Sequence, residues 1–566
     1  MLTAGVDNIV GTAGNDTIIG DNTQTGNAGA GDQIDGGAGT DTFKLYIGTA
    51  TKVEETVLPT LKNVENVYIK GGTVTAAATV DISTLAGVTS VELDGAALGA
   101  TATIKTTAAQ EVKLSNSAAT TTVTLDGAQK ATVANVTKAT LDVKSATATG
   151  FTLAATGSAA SDVTLTNNGT KLTSLTISGD KAVTVSEAIA AIKTVDASAN
   201  SAGVTLKYTG AANDLTVKGG AGNDRFEIAN FDAKDVVDGG AGKDTLAIAL
   251  TDATAFTKAA AVTNVEVLAV TGDIAAAATL NADYFGVNSF EVVGKIGANL
   301  TLSNLANNGT VQLDGASTAA ATVTVDVKGA IAGTADVLNL TTDKDGADLA
   351  TSKVTVLANG VEAVNIASSS ETGAGAFKLD TLTSAQLKTI TITGVGDVSV
   401  ATVSAAALSS IDASAAKGAV SISAANSTAA VTFKGGEAVD TYAASNKGDT
   451  IFGSKGADQI TLGTGADKLV FTVAEQSNAA AKDSVGGFNV NADLVQFAAS
   501  LQTGSAVFTG TTAFSATAGK TQIGFTDAVN TNDLQVDFDG NGTVDFVVTL
   551  TGVTAADFGA ANFVFA

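Results

Sequence analysis

The segment Gly435–Val470, cut every nine residues, reads GGEAVDTYA, ASNKGDTIF, GSKGADQIT and LGTGADKLV. Asp440, Asp449, Asp458 and Asp467 fall at position six of each frame, and Tyr442, Ile451, Ile460 and Leu469 at position eight. Glycines at the front permit the left-handed or extended angles of a tight turn and leave carbonyl oxygens uncovered. The last three residues of each frame suit a short strand that buries its apolar residue. A fixed short period is the mark of a stacked repeat, in which each unit becomes stable only against its neighbours.

The frame recurs twice more. Near the start Asp7 and Asp16 are nine apart, as are Asp32 and Asp41, the latter inside GGAGTDTF, Gly36–Phe43. In mid-chain GGAGNDRF spans Gly219–Phe226 and GGAGKDTL spans Gly239–Leu246, placing Asp224, Asp235 and Asp244 in the same role. Between the clusters lie Ala/Thr/Val stretches with short strand signals such as Val123–Leu125, Val163–Leu165, Leu300–Leu302 and Val323–Val327. A longer period links two regions. LTSLTISG at Leu172–Gly179 matches LKTITITG at Leu387–Gly394, TVDASA at Thr194–Ala199 matches SIDASA at Ser410–Ala415, and LTVKGG at Leu215–Gly220 matches VTFKGG at Val431–Gly436, at offsets of 215 or 216. The expectation is two tandem copies of about 200 to 216 residues, each beginning at a glycine-aspartate cluster.

Equivalent aspartates stacked one strand layer apart, roughly 5 Å, repel by about 3 kcal/mol per pair at an effective dielectric near 20. A row of them requires a cation. The chain has no cysteine or histidine, so a metal must be bound through oxygen. Calcium takes six to eight carboxylate and carbonyl oxygens in irregular geometry, whereas magnesium demands a strict octahedron. Extracellular calcium modules bind at about 10⁻⁴ to 10⁻³ M, so folding would be coupled by mass action to arrival outside the cell. In the tail, Asp537, Asp539, Asn541 and Asp545 form D-x-D-x-N-G-x-x-D around Gly542, a further calcium-type loop without the closing glutamate of an EF-hand. Glu65, Glu266 and Glu362 each follow a valine. They offer additional ligands, but a solvent-facing carboxylate on an amphipathic strand is the reading preferred.

Composition narrows the function. The chain of 566 residues carries 31 basic and 56 acidic residues, a net charge of −25, which excludes the basic patch that gathers nucleic acid or anionic lipid. The absence of histidine excludes a Ser-His-Asp triad and an H-E-x-x-H zinc site. Aromatic residues are 5%, few for stacking against sugar rings. No apolar run is long enough to span a bilayer, and no cleavable leader is legible at the N-terminus. Because repeat sequence begins at Leu2, Met1 is expected to start a fragment whose upstream module has been removed. The chain is expected not to be an enzyme.

GGAGND, GGAGKD and GSKGADQI resemble the nonapeptides of RTX proteins, which leave Gram-negative bacteria by type I secretion. The resemblance implies an all-β, parallel β-roll or β-solenoid with two nonapeptides per coil, Asp440 sharing ions with Asp458 and Asp449 with Asp467. It also implies that nearby carbonyls, those of Gly36, Ala38, Gly219, Ala221, Gly239, Ala241, Gly453 and Lys455, complete the sites for several calcium ions. The domains expected are N-terminal RTX turns at 1–44, a first solenoid copy at 45–234 ending in an RTX cluster, a second at 235–434 starting in one, an RTX roll at 435–471, and a C-terminal cap with a type I secretion signal at 472–566. Sparse clusters separated by Ala/Thr-rich strands, together with NVE and DASA, are similar to calcium-dependent surface-layer proteins of Gram-negative bacteria. That likeness implies a secreted, cell-surface structural protein whose partner is itself in a two-dimensional lattice. Lipopolysaccharide would be reached through an N-terminal helical module that nothing in this chain matches. A calcium-dependent RTX adhesin or biofilm-matrix protein is the alternative.

Overall fold

The computed structural model describes all residues except 25, 118–121, 146, 167–170, 188–190, 211–213, 258–260, 316, 318, 343–352, 370–375, 517–518 and 529–530, and the side chains of 527–531. Two compact units emerge, Met1–Ala269 with Tyr284–Gly286, and Val270–Asp283 with Val287–Ala566. Both are parallel β-solenoids.

In the first unit the strands alternate between two parallel ladders. Lys130–Ala134, Gly150–Thr156, Ser174–Gly179 and Thr194–Asn200 belong to one, and Ala139–Lys144, Ser161–Thr166, Val183–Glu187 and Val204–Tyr208 to the other. A parallel pair needs a long crossover. Here the crossover is the intervening strand of the opposite ladder, so one coil consists of two strands and two turns. Along each strand buried and half-buried residues alternate, as in Gly150–Thr156, because side chains of a pleated strand point to opposite faces. In-register pairing stacks the inward residues into columns. Val112 pairs with Ala131, Ala131 with Leu153 and Leu153 with Ile177, all at most 1% exposed.

The second unit repeats this logic. Val311, Leu340, Ile366 and Ile392 pair in series, each fully buried. Burial of each such side chain contributes about 1.5–3 kcal/mol, so these columns hold the coils that lack clustered aspartates. The nonapeptide coils of Gly435–Val470 are short: Thr432 pairs with Thr450 and Thr450 with Lys468, and Thr441 with Gln459. Two nonapeptides therefore make one coil.

The long internal period has a structural counterpart. The strand carrying DASA slips register against its partner between Thr176 and Ser178 in the first unit and between Thr391 and Thr393 in the second. In both, the aspartate of that motif folds onto its own chain: Asp196 Oδ1 accepts the Ser198 N–H at 3.0 Å, and Asp412 Oδ1 the Ser414 N–H at 3.1 Å.

Beyond Phe471 the pattern changes. Gln522–Ala528 and Thr531–Asp537 pair antiparallel, Thr531–Asp537 pairs antiparallel with Phe546–Thr551, and the last joins the solenoid strand Asp483–Gly486 in parallel. Phe471, Phe497, Phe538, Phe546 and Phe565 pack together, with Phe471 and Phe546 rings 4.6 Å apart and Phe497 and Phe546 5.1 Å apart. Large rings fill the space where the coil profile ends, and the antiparallel strands cover one open ladder edge. Among the described residues no helix is long and apolar enough to cross a membrane.

Candidate metal centres

The nonapeptide aspartates do not face water. Asp440, Asp449, Asp458 and Asp467 are at most 1% exposed, Asp41 and Asp244 are fully buried, and Asp32, Asp224 and Asp235 are at most 4% exposed. Only Asp7 and Asp16, in the first coil, are half-buried.

Each carboxylate occupies a fixed place in a column running through successive coils. Asp440 Oδ1 accepts the Val420 N–H at 2.8 Å, Asp458 Oδ1 accepts the Asp440 N–H at 2.8 Å, and Asp483 Oδ1 accepts the Asp458 N–H at 2.9 Å. On the other edge Asp449 accepts from Val431 at 2.9 Å, Asp467 from Asp449 at 2.6 Å and Asp493 from Asp467 at 2.8 Å. The middle cluster runs from Val204 through Asp224 and Asp244 to Glu266, at 2.6, 2.7 and 2.7 Å. Leu215 donates to Asp235 at 2.8 Å beside it. In the first cluster Asp7 donates to Asp32 at 2.8 Å, Asp16 to Asp41 at 2.7 Å, and Asp41 to Glu65 at 2.7 Å. The stacking expected for Asp440 with Asp458 and for Asp449 with Asp467 is present.

The second oxygen usually closes the turn that carries it. Asp440 Oδ2 accepts the Gly436 N–H at 2.6 Å, Asp224 that of Gly220 at 2.7 Å, and Asp449 that of Ser445 at 2.7 Å. Asp41 and Asp244 differ. The corresponding N–H groups, of Gly37 and Gly240, turn to Asp35 at 3.2 Å and to Asp238 at 3.3 Å. Asp41, Asp244, Asp458 and Asp483 each keep one Oδ2 buried with no hydrogen-bond partner among the described residues. A buried carboxylate oxygen without a donor is costly unless a cation faces it.

Backbone oxygen gathers beside these groups. A Cβ on Gly36 would lie 2.0 Å from the Asn63 carbonyl oxygen and 2.5 Å from Asp41 Oδ2; on Gly239, 1.8 Å from the Asn264 oxygen and 2.7 Å from Asp244 Oδ2. A Cβ on Gly219 would lie 1.8 Å from the Gly239 carbonyl oxygen and 2.5 Å from Asp224 Oδ2; on Gly435, 2.1 Å from the Gly453 oxygen and 2.6 Å from Asp440 Oδ2. Glycine is therefore required at these positions for space. Ala38, Ala221, Ala241 and Lys455 sit in the same turns, their N–H groups donating to the Thr12, Asn200, Gly220 and Gly436 carbonyls of the neighbouring coil at 3.1, 3.1, 2.9 and 3.3 Å. Bare carboxylate oxygens amid converging carbonyls suit an ion that takes many hard oxygens in irregular geometry, which is calcium. The position-six aspartates and adjacent turn carbonyls would hold it.

Two parts of the columns were not expected. Asp483 and Asp493 continue them at 25 and 26 residues rather than 18. The available signal was aspartate, any residue, apolar residue, present in Asp483-Ser-Val and Asp493-Leu-Val without the glycines. The reading of Glu65, Glu266 and Glu362 as solvent-facing is corrected by the structure. Each accepts a backbone N–H, from Asp41, Asp244 and Asp336 at 2.7, 2.7 and 3.0 Å; Glu362 is buried, and Glu65 and Glu266 are half-buried.

In the C-terminal region a carboxylate oxygen from each of Asp537, Asp539 and Asp545 lies within 4.8 Å of the others. Asp537, fully buried, accepts the N–H groups of Gly540 and Gly542 at 2.8 Å each. Asn541 turns inward on the loop, its oxygen accepting the Thr543 N–H at 2.7 Å and its amide donating to Asp539 at 2.9 Å.

Without a cation these columns resist ionisation. Burial pushes the Asp458 carboxyl up to about 8, with the charges of Asp483 and Asp440 adding to it, and burial with the Asp440 charge pushes Asp483 up to about 7. Burial also raises Asp440 and Asp244 to about 6. A carboxyl whose folded pKa lies above its unfolded value holds more protons in the native state, so stability falls as pH rises between the two values. The decalcified protein is therefore expected to lose stability from pH 5 to pH 8. With saturating calcium the carboxylates stay ionised and protons compete for them, so stability should fall in the opposite direction, toward acid. Urea midpoints at the two pH values check this; parallel trends with and without calcium would be the contrary result.

Fold and columns together define a parallel β-solenoid whose stacked aspartate turns suit calcium. Sequence comparison agrees: residues 3–23 and 232–247 match the RTX calcium-binding nonapeptide repeat (4 copies), and residues 400–564 match the Peptidase M10 serralysin C terminal family. No curated protein matches the chain. The chain thus carries RTX calcium-binding repeats and a serralysin-type C-terminal region, a combination typical of type I secreted proteins of Gram-negative bacteria.

Proposed function

We propose that this protein is a structural surface-layer component whose folding and lattice assembly depend on calcium. The observation that carries the reading is the distribution of the aspartate columns. They lie at the start, the middle and toward the end of a chain otherwise built of aliphatic solenoid coils with Thr, Ser and Asn on the outward positions. Such a chain is a calcium-stiffened building element, and a chain without histidine offers little for hydrolytic chemistry. Net charge −25 makes copies repel until divalent ions screen and bridge them.

Purified protein in millimolar calcium is expected to form two-dimensional sheets, visible by negative-stain electron microscopy, which disperse on chelation. Persistent monomers that bind cells or glycans would instead assign the protein to the calcium-dependent adhesins or matrix proteins.

A further inference from the structure

Among the described residues, three places share one local geometry, and only two of them lie in nonapeptide clusters. In the first cluster the Asp41 N–H donates to Glu65 Oε2 at 2.7 Å, while the N–H groups of Glu65 and Asn66 both return to the Asp41 carbonyl, at 3.1 and 3.0 Å. In the middle cluster Asp244, Glu266 and Val267 make the same three bonds at 2.7, 3.1 and 3.0 Å. In the second unit Asp336, Glu362 and Ala363 make them again, at 3.0, 3.1 and 3.0 Å. The residue two before the glutamate is left-handed each time: Asn63 at φ 50°, Asn264 at 51° and Gly360 at 74°.

The likeness extends to what is unsatisfied. Asp41, Asp244 and Asp336 each bury an Oδ2 that has no hydrogen-bond partner among the described residues. Asp336 and Glu362 are each 7% exposed. Room beside the Asp336 oxygen is kept by a glycine, since a Cβ on Gly333 would lie 1.7 Å from Oδ2. No matched family region covers this segment, because the matches end at residue 247 and resume at 400.

We propose that Asp336 and Glu362 form a separate calcium site, outside the nonapeptide clusters. Asp336 Oδ2 and the Glu362 carboxylate supply charged oxygens in a setting without cysteine or histidine, and such hard donors in an irregular turn select calcium. Strands Val337–Thr342 and Ala363–Ser368, which follow the two acids and pair in register, would be clamped by the ion. The site thereby pins coils that otherwise rest on aliphatic columns.

The test uses the full chain, with native mass spectrometry for stoichiometry and hydrogen exchange for location, each with calcium alone as the probe. Asp336→Asn is expected to bind one calcium fewer than the parent. It should also lose calcium-dependent protection of amides 337–342 and 363–368, while 441–461 keep theirs. Gly333→Ala, which fills the space without removing a carboxylate, should give the same local loss and guards against misfolding of the first variant. An unchanged calcium count in Asp336→Asn, or protection of 337–342 in the parent that is equal in calcium and in a decalcified buffer at pH 5, would overturn the proposal.

Discussion

Excess chelator at neutral pH is expected to lower the melting temperature by at least about ten degrees and to abolish amide protection first in residues 435–497. The nonapeptide columns place Asp440, Asp458 and Asp483 in one buried row and Asp449, Asp467 and Asp493 in another. With calcium each row is a set of satisfied ligands. Without it, the row must either ionise unpaired or take up protons, and Asp458 and Asp483 titrate near or above neutral pH. Removing the partner of a buried charge costs about 3–5 kcal/mol, and a few such losses equal the whole stability of a typical domain, about 5–15 kcal/mol. The aliphatic coils around Ala131, Leu153 and Ile177 carry no such row and should open last. Thermal circular dichroism with hydrogen exchange measures both. A melting temperature and protection pattern indifferent to chelator would contradict the expectation.

Asp458→Ala should destabilise the calcium-loaded protein by about 3–5 kcal/mol, while Asp7→Ala should cost about 1 kcal/mol, the worth of an ordinary hydrogen bond. Asp458 is 1% exposed and sits between coils, accepting from Asp440 and donating to Asp483. Its removal takes a ligand away and strands the Asp440 N–H. Asp7 belongs to the first coil, is half-buried, and its carboxylate closes only its own turn through the N–H and hydroxyl of Thr3, at 2.6 and 3.1 Å. In decalcified buffer the order should reverse, because deleting a carboxyl whose pKa burial has raised to about 8 relieves repulsion. Denaturant midpoints of both variants in both buffers decide the matter, and equal losses in calcium would be the adverse finding.

Much of this is legible in the sequence. The nine-residue spacing from Asp440 to Asp467 already marks a stacked repeat, and the resemblance to RTX nonapeptides adds the coil of two nonapeptides seen in the pairing of Thr432 with Thr450. The tandem period was legible too, down to the DASA strands that share a register shift. The intervening coils were not, since their length varies: Asp326 meets Asn359 33 residues on, whereas Asp440 meets Asp458 after 18. With Val and Thr everywhere, no repeat fixes the register from sequence. The glutamates were misread for a related reason. A carboxylate after a valine looks solvated on its own strand, and only the coil before it supplies the aspartate N–H that draws Glu65, Glu266 or Glu362 inward. Asp483 and Asp493 escaped because the chain lengthens between them and their predecessors, and their turns lack the glycine frame.

The most direct measurement is an anomalous-difference map from crystals grown in calcium, read at the buried oxygens of Asp41, Asp244, Asp458 and Asp483. Discrete peaks within about 2.3–2.6 Å of those oxygens and of neighbouring turn carbonyls are the predicted result. Well-ordered turns in which the same oxygens meet only water or one another, with no peak beside them, would contradict the account.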